Sequence, residues 1–91
     1  MRLDLYLKVS RLMPRRSLAQ EFCDSGLIRV NGAQAKSSKE IKPRDVLEIR
    51  RRQRYLKVVV REVPATKQIP KHSAAALYEV VEERETAEDE N

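Results

Sequence analysis

Apolar side chains recur with helical spacing at the start of the chain. Leu3 and Leu7 stand four apart, Leu5, Val9 and Leu12 fill the neighbouring stripe, and Arg2, Lys8 and Arg11 are left to the rim. This predicts an amphipathic helix over Leu3–Leu12. Pro14 stops it, because proline lacks an amide hydrogen and restricts the residue before it. Leu18, Ala19, Phe22 and Cys23 then form the apolar face of a second helix, Arg15–Asp24, with Ser17 and Gln20 spaced as a capping box. Gly26 is placed to close that helix in the left-handed conformation.

Beyond Gly26 the pattern turns to strands. Leu27–Val30 is short and β-branched, and Asn31-Gly32 is a hairpin signal because both residues accept positive φ. The return strand is expected at Gln34–Lys36, a turn at Lys42-Pro43-Arg44-Asp45, and two further strands at Val46–Arg50 and Leu56–Val63 around the basic run Arg51–Arg54. Residues 64–71 read as irregular, Ala74–Glu83 as a last helix, and 85–91 as an acidic unstructured tail. The order α-α-β-β-β-β-α predicts an α+β fold, with two N-terminal helices, a small antiparallel sheet and a C-terminal helix. The expected division is a basic domain over 1–63, a connection and helix over 64–84, and the tail.

Charge sharpens this picture. The net +5 combines 18 Lys/Arg and 7 Asp/Glu in residues 1–72 with 1 and 7 in residues 73–91. The body is therefore +11 and the end −6, and a basic body is the electrostatic footprint of a polyanion ligand. Arg2, Lys8, Arg11, Arg15 and Arg16 come from the two helices and their junction, and they converge on one surface if the helices pack together. Arg15 and Arg16 stand near a helix N-terminus, whose free amides favour phosphate. Lys36 and Lys39 follow the hairpin. With no Trp and one Phe, recognition of folded RNA by its backbone fits better than stacking on single strands.

Other chemistries find little support. His72 has no Cys or carboxylate at ligand spacing, and both glycines have turn roles rather than forming a phosphate loop. The expectation is a protein without catalytic residues, metal or cofactor. Cys23 is the single cysteine and reads as a buried thiol, which with the absence of a long apolar run suggests a cytoplasmic protein with no membrane partner.

The segments Arg2-Leu3-Asp4, Arg16-x-x-Ala19, Gly26-x-Ile28-x-Val30-Asn31-Gly32 and Lys42-Pro43-x-Asp45 together resemble the S4 RNA-binding domain over about residues 2–50. The resemblance implies the S4 (alpha-L) fold, with the two helices and hairpin as the RNA face. It carries Arg2, Asp4 and Arg16 over as RNA-binding positions, beside Lys8, Arg11, Arg15, Lys36 and Lys39 from the charge argument. Within the family, the run Arg2–Leu12, the doubled Arg15-Arg16 and the acidic end are similar to the RqcP branch of bacterial ribosome quality control. That implies binding to a large ribosomal subunit obstructed by peptidyl-tRNA, with contacts to 23S rRNA and tRNA. It also implies support of the partner RqcH as the stalled chain is extended with alanine. A monomer with no affinity for DNA is expected. Ser73–Glu79 is also similar to the heat-shock S4 protein, whose action on free large subunits carrying a nascent chain is the alternative. Two positions depart from the family pattern. Leu5 replaces a lysine common after Arg-Leu-Asp, and Arg44 replaces the glycine of the turn before Asp45, where a non-glycine residue can still make a type I turn but the turn's shape is left open.

Overall fold

The computed structural model describes residues 1–85. Helices α1 (Leu3–Val9) and α2 (Arg16–Asp24) precede strands β1 (Ile28–Val30), β2 (Ala33–Gln34), β3 (Val46–Arg51) and β4 (Arg54–Val60). A short α3 (Lys71–Ala74) then runs through a 3-10 turn, Ala75–Leu77, into β5 (Tyr78–Glu85). The strands form one antiparallel sheet in the order β2-β1-β3-β4-β5. Leu3, Tyr6 and Leu7 of α1 and Ala19 and Cys23 of α2 pack with Ile28, Val30, Leu47, Ile49, Val58 and Val60 of the sheet. The Tyr6 phenol, fully buried, donates to the Leu77 carbonyl at 2.7 Å and ties α1 to the chain just ahead of β5.

Helix α1 ends three residues before the apolar pattern does. Ser10 is buried and its hydroxyl donates to the Leu7 carbonyl, while Arg11 takes φ +66° at the exit, a position where glycine is usual. Leu12 and Met13 nevertheless enter the core, so the apolar spacing continued where the helix did not. The capping box also fails to form. Helix α2 has no side-chain cap, and Gln20 reaches back to α1 instead.

Gly26 closes α2 at φ +75°, and Asn31 and Gly32 form the hairpin tip at +53° and +86°. The return strand is shorter than expected, only Ala33–Gln34. Asn31 does more than turn the chain: its carboxamide accepts from the Val46 amide at 2.8 Å and donates to Asp45 at 3.1 Å. The hairpin tip is thereby tied to the Lys42–Asp45 turn, where Asp45 also accepts from the Lys42 amide at 2.9 Å.

That turn is not type I. The Asp45 amide donates to the Lys42 carbonyl at 3.1 Å, and Arg44 in the third position has φ +79°, the type II requirement. A side chain in the left-handed region costs about 1–2 kcal/mol, against about 0.5–1 kcal/mol of extra chain entropy that glycine would lose. Arg44→Gly should therefore stabilise the fold by about 0.5–1 kcal/mol, raising Tm by a few degrees. A fall in Tm would show that the Arg44 side chain holds the turn by contacts that outweigh its backbone cost.

The larger departure lies at the end. The expected helix over Ala74–Glu83 is helical only to Leu77, and Tyr78–Glu85 is a strand. The neighbour decides this: β4 presents an open edge, and the antiparallel register places Arg54 opposite Glu85 and Lys57 opposite Glu82. Opposite charges across strands favour the pairing, as do the β-branched Val80 and Val81. Strand β4 itself begins at Arg54 and ends at Val60, rather than spanning Leu56–Val63. Glu85 belongs to β5, and the rest of the acidic end, 86–91, lies outside the described residues.

Candidate nucleic-acid interface

Asp4 organises the site. It is fully buried in the first turn of α1, and four nitrogen donors from three residues bring hydrogens to its carboxylate. Arg2 Nε and Nη2 approach its two oxygens at 3.2 Å each, Gln20 Nε2 donates at 2.8 Å, and the Leu5 amide donates at 2.7 Å. Arg16 Nε stands 3.2 Å from Oδ2 as an ion-pair partner, without hydrogen-bond alignment. Burial raises the Asp4 pKa, but the Gln20 and Arg16 contacts, the Arg16 charge and the Leu5 amide outweigh it and hold the carboxyl below its ordinary value. The carboxylate is thus a charged post between two arginines from different helices. Their side chains stay 46% and 38% exposed, so one end of each is anchored and the other faces solvent.

The segment after the hairpin closes over this end of α1. The Leu3 amide donates to the Lys39 carbonyl at 2.7 Å and the Asp4 amide to the Ser37 carbonyl at 3.0 Å. These carbonyls satisfy helix-end amides that α1 cannot satisfy itself. Lys39 is thereby brought next to the start of α1 and Arg2, while Lys36 lies toward the Cys23–Asp24 end of α2, and both lysines are exposed. Arg15, at the uncapped start of α2, adjoins Arg16.

Lys8 and Arg11 fall elsewhere. They line a cleft at the exit of α1, with Arg51 and Lys67 as further cations. The eight positions singled out in the sequence therefore form two neighbouring groups joined by α1. Gln20, Arg51 and Lys67 were missed as site residues. Gln20 carried a capping signal that pointed to the wrong use, and nothing local marks Arg51, whose partners Leu12 and Met13 lie far back in the chain. Cys23 is buried, and that burial pushes its thiol up to about 11, so it remains a protonated core residue.

A helix pair beside a hairpin, with arginines held on a buried aspartate and flanked by lysines, defines an S4-domain protein, and residues 1–47 match the S4 domain. Over 88 residues the chain is 46% identical to the RQC P-site tRNA stabilizing factor of Bacillus subtilis, covering 97% of this chain and 100% of that one. The protein of the same name from Streptococcus pneumoniae is also 46% identical, covering 97% and 98%. The chain belongs to the family of RQC P-site tRNA stabilizing factors. Its fold is also similar to the trimeric structure of Vibrio cholerae Heat Shock Protein 15, with TM-score 0.78 and 28% identity over 96% of this chain and 82% of that one. Among the described residues, no helix is long and apolar enough to cross a membrane.

Proposed function

We propose that the protein is a non-catalytic RNA-binding factor of ribosome-associated quality control. It grips a large ribosomal subunit that still carries peptidyl-tRNA, through 23S rRNA and the tRNA. The Asp4-anchored pair of Arg2 and Arg16 carries this reading. Two guanidiniums held in fixed orientation, with exposed lysines on one side, are suited to phosphate oxygens at set spacing, because the planar fork binds them bidentately. Preorganisation lowers the entropy lost when the arginines engage. Asp4 is too buried to touch RNA and acts by positioning. The names and identities of the relatives support a quality-control role at the ribosome; within that role the proposed setting is the cytoplasmic ribosome, with a monomer acting beside RqcH during alanine tailing. The likeness to Vibrio cholerae Heat Shock Protein 15 supports a heat-shock role as the alternative, in which the protein acts on free large subunits carrying a nascent chain.

Pelleting of purified large subunits tests recognition of the tRNA, and alanine incorporation separates the two readings. Subunits carrying peptidyl-tRNA should bind the protein at least about tenfold more tightly than vacant ones, a difference of about 1.4 kcal/mol. Adding the protein to RqcH and obstructed subunits should increase alanine incorporation. Equal affinity for vacant and obstructed subunits would contradict recognition of the tRNA.

A further inference from the structure

The cleft at the exit of α1 is separate from the Asp4 centre. Its volume is about 420 Å³, within the range of small-ligand sites and far too small for a duplex. Four cations line it, Lys8, Arg11, Arg51 and Lys67, with no acidic residue among the lining, while Leu12 and Ile69 give it an apolar wall. One of the cations is held in place. Arg51 Nη2 donates to the Leu12 carbonyl at 3.1 Å and its guanidinium lies 5.8 Å from the centre of the Phe22 ring, leaving Nε and Nη1 without a hydrogen-bond partner among the described residues. Arg11, in the left-handed conformation at the helix exit, also lines the cleft. Arg51, Lys67 and Ile69 all lie beyond residues 1–47, so the cleft is a joint product of the S4 domain and the chain that follows it.

We propose that this cleft takes one nucleotide extruded from folded RNA, with its phosphate among the four cations and its base against Leu12 and Ile69. A bare phosphate would have no use for the apolar wall, and an apolar ligand none for four positive charges. The pairing of both linings within one nucleotide's dimensions selects that ligand. Unstacked bases of loops and bulges are the parts of folded RNA that a protein pocket can take in. This assignment rests on the RNA-binding reading above and names a specific element within it.

Two substitutions in the full chain test it, with large subunits carrying peptidyl-tRNA as the probe. Lys67→Ala should weaken binding about three- to tenfold and make the slope of log affinity against log salt shallower by about one, as expected when one phosphate contact is lost. Ile69→Ala should weaken binding to a similar degree with the slope unchanged, because it removes an uncharged contact. Since Ile69 is half-buried, a photoreactive benzophenone side chain carried at position 69 supplies a readout independent of stability, and it should crosslink to a single rRNA or tRNA nucleotide. A crosslink to ribosomal protein alone, or wild-type affinity and slope in Lys67→Ala, would overturn the proposal. A loss in Lys67→Ala with no effect of Ile69→Ala and no RNA crosslink would also overturn it, leaving a phosphate contact without a bound base. If Arg16→Ala binds as well as wild type, the RNA-binding reading itself fails. If Arg16→Ala is weakened while the cleft variants and the crosslink are silent, only the nucleotide assignment falls.

Discussion

Asp4→Ala should lower both stability and affinity for the large subunit. The substitution removes the acceptor for two Arg2 nitrogens, Gln20 and the Leu5 amide, and the counter-charge of Arg16. Both arginines are partly exposed and can turn to water, which discounts the loss, so a stability decrease of about 1–3 kcal/mol is expected. For a domain of this size that lowers Tm by about 4–8 °C per kcal/mol. Affinity should fall because two guanidiniums lose their fixed orientation, even though Asp4 itself never meets RNA. A thermal melt and subunit pelleting check the two effects; unchanged binding with a lowered Tm would show that anchoring does not matter to recognition.

The same carboxylate sets a pH dependence. Its folded-state pKa lies below the unfolded one, so its contribution is fully present above the unfolded value of about 4 and is lost as pH falls through the folded value. The stability gap between wild type and Asp4→Ala should therefore be widest near neutrality and close on acidification. A gap that stayed constant down to strongly acidic pH would contradict the ion-paired state of Asp4.

Much of this arrangement was legible because its causes are local. The helix pair follows from 3.6-residue spacing and Pro14, and the hairpin from two adjacent residues that accept positive φ. The strand β5 was not legible, since Ala74–Leu77 does begin helically and only the register with β4 turns the following residues to an extended conformation. Asp4 likewise reads as an ordinary acidic residue at a helix start. Its burial depends on Arg16 and Gln20 arriving from α2, which no local window contains. The seven basic positions shared a charge signal, yet charge alone could not divide them between the Asp4 centre and the cleft. Arg51 shows the limit most plainly: in sequence it is one of a basic run, and in the fold it alone of that run is clamped against Leu12 and Met13.

Arg16→Ala bears most directly on the central claim. The guanidinium spans the buried carboxylate and the solvent, so its removal should weaken binding to obstructed large subunits by about 1–3 kcal/mol, the loss expected for a charge-assisted contact. Because Arg16 also neutralises Asp4, stability should fall modestly, by about 1 kcal/mol or less, with Arg2, Gln20 and the Leu5 amide still holding the carboxylate. Arg61→Ala is the comparison: Arg61 is paired with Glu79 at the β4–β5 end and is none of the eight positions of the interface. The measurement is subunit pelleting of wild type, Arg16→Ala and Arg61→Ala at a temperature where melts show all three folded. A roughly 5- to 150-fold loss confined to Arg16→Ala is predicted; equal losses in the two variants, or none in either, would contradict an RNA interface built on the Asp4-held arginines.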